Sequence, residues 1–134
     1  MPDFRWLTAA EVREFHDFIL EPGQLRGEDD TRPVESVLNR VEQQVFYGQI
    51  EMDVIQIAAT YAVVISRAHS FNDGNKRTAL ASMLVFLGDN GYDLEIDGKR
   101  LARTMEDCAA GVINDDALWS IIFEHLTELN DEPT

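Results

Sequence analysis

The sequence predicts an all-α domain of about six helices built around two central ones. Apolar residues recur at three- and four-residue spacing through most of the chain. Capping residues, glycines and prolines cut that pattern into helix-length pieces. And 45% of the 134 residues are hydrophobic, enough to enclose a core. The length suits one domain spanning residues 1–134.

Thr8-Ala9-Ala10-Glu11 reads as a capping box that opens the first helix. Leu7, Val12, Phe15 and Ile19 line its apolar face, and Glu21-Pro22-Gly23 stops it. An acidic, glycine-containing loop follows, Gln24 to Asp30. Pro33 stands near the start of a second helix, Thr31 is its candidate cap, and Val34, Val37, Leu38 and Val41 give its inner face. Tyr47-Gly48-Gln49 is a break, and the flap-like stretch Tyr47 to Ile50 carries no readable code. The next helix, from about Glu51 to Ala68, is apolar almost all round, which marks a central helix covered by its neighbours. His69 stands at its end. After a polar loop, Ser70 to Gly74, a further helix begins near Asn75 and stops at Asp89-Asn90-Gly91; its stripe is Leu80, Met83, Leu84 and Leu87. Tyr92 to Ile96 alternates weakly, as a short extended piece. Two helices are expected after the Asp97-Gly98 turn, over Lys99–Ala110 and Asp115–Leu129, with Asn130 to Thr134 frayed.

Composition narrows the function. Twenty-five acidic residues against 11 basic ones give a net charge of −14. Such a surface repels phosphate backbones and anionic lipid heads, so neither nucleic acid nor membrane is an expected partner. A basic protein segment suits it better. A nucleotide would be repelled too, so any polyphosphate site must be a local positive island. The lone cysteine, Cys108, can form no internal disulfide and reads as a small buried thiol, as in a reducing cytosol. Met1 to Trp6 lacks the pattern of a signal peptide, and the apolar run Ala58 to Ile65 is too short to span a bilayer. The expectation is a soluble, cytoplasmic protein.

Chemistry concentrates in His69-Ser70-Phe71-Asn72-Asp73-Gly74-Asn75-Lys76-Arg77, which joins the two central helices. A titratable base hangs off one helix end, a carboxylate follows, and the next helix opens with Gly-Asn-Lys-Arg. A helix start presents unpaired N–H groups and a partial positive charge. Gly74 allows close backbone approach, and Lys76 and Arg77 add two cations. Lys76 lies four residues before Leu80, so its side chain is expected to lean over the inner side of the helix start. Phosphoryl transfer needs little more. The helix start, Asn75, Lys76 and Arg77 hold the phosphates, Asp73 holds a divalent cation, and His69 takes the acceptor's proton. Each residue also has a plainer reading. Asp73 occupies a helix-capping position, and His69 could be a cation on a helix dipole. Phe71 reads as a core anchor that pins the loop. His16 reads as a packed helix histidine whose relation to the site the sequence leaves open. His125 reads as a last-turn residue, and Trp6 and Trp119 as packing residues.

The segment resembles the motif of the Fic/Doc family, His-Pro-Phe-x-(Asp/Glu)-Gly-Asn-(Gly/Lys)-Arg. His69, Phe71, Asp73, Gly74, Asn75, Lys76 and Arg77 match it, and Ser70 replaces the usual proline. The likeness to Doc-type members extends to Phe15-His16-Asp17, Val41-Glu42-Gln43, Ala58 to Ala68, Thr78-Ala79-Leu80 and Leu84 to Gly91, and is weakest in the acidic loop and the last two helices. It implies a Fic fold with ATP and Mg2+ as cofactors. Many AMP-transferring members carry glycine at the position of Lys76 and a second arginine at that of Leu80. Doc-like members, with lysine, are thought to bind ATP flipped, with its γ-phosphate toward the acceptor. The resemblance therefore implies a toxin that phosphorylates a protein hydroxyl, a threonine of elongation factor Tu, and blocks translation. AMP transfer is the alternative, and a catalytically inactive nucleotide- or antitoxin-binding module is a second. No inhibitory helix of the form (Ser/Thr)-x-x-x-Glu-(Gly/Asn) occurs here, which implies a Phd-like antitoxin whose tail folds into a groove on the toxin.

Overall fold

A computed structural model of the chain describes residues 4–47 and 53–129. Within them run α1 (Ala9–Ile19), α2 (Val34–Tyr47), α3 (Val54–Ala68), α4 (Asn75–Asp89), α5 (Gly98–Ala109) and α6 (Asp115–His125), with strands β1 (Tyr92–Leu94) and β2 (Leu126–Glu128). The mostly helical architecture is the expected one. The flap-like stretch after Tyr47, the expected helix start at Glu51 and the tail from Asn130 lie outside the described residues.

α3 is the axis of the fold. Every residue from Ile57 to Ser66 is buried, and α2, α4, α5 and α6 pack around it. Asp53 caps its start by accepting the Gln56 N–H (2.7 Å). α4 packs most extensively on α3 but is buried on one side only, through Thr78, Ala79, Ser82, Met83, Phe86 and Leu87. Leu80 and Leu84, expected on the inner stripe, are only half-buried. α1 lies across α4 and α2, opened by the expected capping box, in which the Glu11 N–H donates to Thr8 Oγ1 and the Thr8 N–H to Glu11 Oε1. Phe4, Trp6 and Tyr61 gather round Phe86, and Phe46 lies against Trp6. Tyr61 Oη accepts the Leu7 N–H (3.1 Å), and burial pushes its phenol up to about 12. Cys108 is fully buried, and burial raises its thiol pKa.

Two local expectations are corrected. The cap of α2 is not Thr31, whose N–H and hydroxyl both bond to Asp29 Oδ1; the first helical N–H, of Val34, goes instead to Glu28 Oε2 (3.3 Å). The last helix does not reach Leu129. It stops at His125, and Leu126–Glu128 pair antiparallel with β1, Leu94 opposite Leu126 and Tyr92 opposite Glu128. His125 donates to Ile121 O through Nδ1 (2.9 Å) and takes Arg100 on Nε2 (3.2 Å).

Candidate active site

α3 ends at His69, whose backbone is left-handed (φ 54°, ψ 40°). That conformation costs an ordinary L-residue about 1–2 kcal/mol, and histidine is among the more tolerant. It turns the chain sharply off the helix axis and leaves the His69 side chain exposed. The chain then runs antiparallel to Gly27–Asp29. The Asp29 N–H donates to Ser70 O (2.7 Å), the Asn72 N–H to Gly27 O (2.9 Å), and Glu28 lies opposite Phe71.

Side chains brace this loop from within and below. Phe71 is buried and stacks flat on His16, ring centroids 3.7 Å apart and planes 8° apart. His16 Nε2 lies 2.7 Å from Asp73 O. A carbonyl can only accept, so the proton is on Nε2. The Asn75 amide closes the loop on itself: Oδ1 accepts the Phe71 N–H (3.1 Å) and Nδ2 donates to Phe71 O (2.8 Å). Asp73 Oδ2 accepts the Leu25 N–H (2.7 Å). Gly74 then turns into α4 with φ 84°, a left-handed N-cap without a side-chain hydrogen bond. A Cβ there would lie 3.0 Å from Ile19 Cδ1, so alanine would be both strained and crowded. Among the described residues the first N–H groups of α4 therefore have no side-chain acceptor capping them.

Residues 6–87 match the sequence profile of the Fic/DOC family, a span that holds α1 to α3, this loop and nearly all of α4. The chain belongs to the Fic/Doc family. It is also similar to a protein named Protein kinase doc from Escherichia phage P1, 39% identical over 111 residues that make up 82% of this chain and 86% of that protein.

In this Fic/Doc chain the motif residues occupy one turn of backbone between α3 and α4, but their side chains are not all free. Asn75 is engaged with the Phe71 backbone. Arg77 Nη2 is paired with Glu21 Oε1 (2.8 Å). Asp73 does not cap α4; Gly74 holds that position. Lys76 is exposed rather than folded over the inner face, because the buried stripe runs through Ala79, Ser82 and Met83, one residue earlier than leucine spacing indicates. Among the described residues no three His, Cys, Asp or Glu side chains gather as metal ligands. A single carboxylate is nonetheless the usual protein share of a magnesium site whose other ligands are phosphate oxygens and water.

His16 is the packed helix histidine the sequence indicates, and its stack on Phe71 and bond to Asp73 set it against the loop. Two supports escaped the sequence, the main chain of Leu25 and of Gly27–Asp29, where no side-chain motif exists to be read. No described helix is long and apolar enough to cross a membrane.

Proposed function

We propose that this Fic/Doc protein is a cytoplasmic, single-domain toxin that transfers the γ-phosphate of ATP to a hydroxyl of a protein, a threonine of elongation factor Tu by resemblance, and so blocks translation. The observation that carries this reading is the α3–α4 junction, where an exposed His69 and the uncapped start of α4 are held on one braced loop with Asp73 between them. The kinase named among the similar proteins supports phosphate rather than AMP transfer.

ATP supplies the transferable phosphoryl group, and magnesium offsets its charge. His69 takes the proton of the acceptor hydroxyl as its oxygen bonds to phosphorus and ADP leaves. Asp73 would hold the cation. The α4 N–H groups, Lys76 and Arg77 would hold phosphate oxygens, Arg77 exchanging Glu21 for them. Asn75 contributes by fixing the loop, its amide being committed to Phe71.

An antitoxin would cover the groove between α1 and α4. This groove of about 710 Å3 is lined by Phe15, Phe18, Ile19 and Val85 together with Glu14 and Asp17. Phe18 is 89% exposed. An apolar lining that also carries two carboxylates suits an amphipathic helix with basic residues, of the Phd type.

The deciding measurement is the intact mass of elongation factor Tu after incubation with this protein, ATP and magnesium. One added phosphate is expected. An added AMP would mean that the nucleotide binds in the other orientation and would overturn the role given to Lys76. An unchanged mass would remove elongation factor Tu as the substrate.

A further inference from the structure

Among the described residues, three of the nine arginines of this acidic chain are tied to carboxylates at 3.7 Å or less. Arg13 is paired with Glu28 and Glu35, Arg26 with Asp17, and Arg77 with Glu21. Three others, Arg32, Arg40 and Arg67, share one cleft. Its volume is about 380 Å3, and Arg32, Ser36, Arg40, Arg67, Ala68 and His69 are among its walls. Three arginines and the exposed histidine face one space, and no carboxylate lines it, although acidic residues outnumber basic ones 25 to 11.

The cations are left available. Arg32 has only a long contact to Asp29, 3.9 Å. Among the described residues neither Arg40 nor Arg67 has a carboxylate within 4.0 Å. Arg67 is held in place by neutral partners, donating through Nε to Cys108 O (2.9 Å) and through Nη2 to Ile113 O (3.0 Å). Its charge is thus positioned but not cancelled. A fixed guanidinium in that state is a ready receptor for a carboxylate.

The walls come from α2, the turn before it and the end of α3, and none from α4. Asp73, Lys76 and Arg77, to which the nucleotide is assigned, stand outside the cleft. What enters it next to His69 is therefore the acceptor polypeptide. We infer that this cleft is a specificity site that binds an aspartate or glutamate of the protein substrate, close in its chain to the hydroxyl presented to His69. The inference rests on the phosphotransfer reading above, with His69 as base. It also reconciles a strongly acidic enzyme with an acceptor segment that need not be basic.

The test is steady-state phosphorylation of elongation factor Tu by the wild type and by an Arg32→Gln/Arg40→Gln variant. Both residues are exposed, so helical circular dichroism should be unchanged; Arg67 is left alone because it ties α3 to the turn before α6. KM for the acceptor should rise about tenfold, the worth of one lost charge-assisted contact. KM for ATP should move less than twofold, and added salt should weaken the wild type more than the variant. An unchanged acceptor KM, or a rise in KM for ATP of the same size, overturns the inference. If the wild type leaves elongation factor Tu unmodified, only the choice of substrate fails. The same pair is then compared on proteins labelled from γ-phosphate-labelled ATP in a bacterial extract, with the sites mapped. An acidic residue near each labelled hydroxyl, with labelling weakened in the variant, supports the cleft. Labelled hydroxyls in neutral or basic surroundings overturn it. No labelling by the wild type overturns the phosphotransfer reading, and the inference with it.

Discussion

The motif loop, residues 69–77, and the segment from Gln24 to Asp30 lie side by side and share hydrogen bonds, yet only one of them is readable. The loop announces itself because its function needs particular side chains in a particular order. The segment works through main-chain groups: the Leu25 N–H on Asp73, the Gly27 carbonyl on Asn72 and the Asp29 N–H on Ser70. Almost any residue supplies those groups. Chemistry is thus contiguous in the chain, whereas the parts that hold it still are distant and nearly free of sequence constraint.

The sharpest way to break this comparison is at His69. His69→Ala should lower transfer by roughly 10²–10⁴-fold, the usual worth of a positioned base, with helical circular dichroism unchanged. His69→Asn is the backbone-matched control, since asparagine tolerates the left-handed conformation His69 adopts. Retention of transfer by both variants would remove His69 as the base.

A support should behave differently, costing stability and rate together. His16→Ala deletes a buried ring, its stack on Phe71 and the donor to Asp73 O. A loss of about 2–4 kcal/mol is expected from the cavity and the orphaned carbonyl, read by denaturant unfolding. His16→Phe keeps the stack without the donor and should fall between. Equal stability of all three proteins would show that the loop holds itself.

How much was legible follows from the same division. The six helices were readable because α1 carries a capping box and α3 is apolar on every side, both local features. β2 was missed because Leu126-Thr127-Glu128 continues the apolar pattern of α6, and its partner β1 lies more than thirty residues earlier. Of the stripe expected on α4, Met83 and Leu87 are fully buried, whereas Leu80 and Leu84 are half-buried. The buried residues include the small Ala79 and Ser82, facing a helix that itself buries Ala58, Ala59 and Ala62; small side chains let two helices approach closely. At the site, the identities of His69, Asp73, Gly74, Lys76 and Arg77 were in the sequence. The commitment of Asn75 to the loop, the Arg77–Glu21 pair and the role of His16 were not, since each depends on a partner fixed by packing.

Gly27 offers a smaller test, because a side chain there would meet the motif loop directly. A Cβ there would strike the amide of Asn72. Asn72 is exposed and its side chain can swing away, so Gly27→Ala should cost no more than about 1 kcal/mol and slow transfer several-fold by shifting the loop. A variant indistinguishable from wild type in both thermal melting and kcat would show that the pairing of the two segments is loose.

The smallest effect should come from the charges that fasten the segment to the body. Arg13 donates to Glu28 through Nε and Nη2 (both 2.9 Å) and to Glu35 through Nη1 (2.8 Å) and Nη2 (2.6 Å), joining α1, the segment and α2. Hydrogen bonds from Arg13 hold the Glu35 carboxyl down at about 2 and lower that of Glu28 from the ordinary 4.5. A carboxyl whose pKa is lower in the folded state stabilises that state above its unfolded value and loses the contribution as pH falls through the folded one. The network should therefore stabilise fully above about pH 5 and fade between about 4.5 and 2. Because the groups are partly exposed, solvent screens the pairs, and Arg13→Ala should lower Tm at pH 7 by only a few degrees. The gap between the two proteins should close as the pH approaches 2. A gap of constant size would mean that Arg13 fastens the segment by packing of its alkyl chain and not by charge.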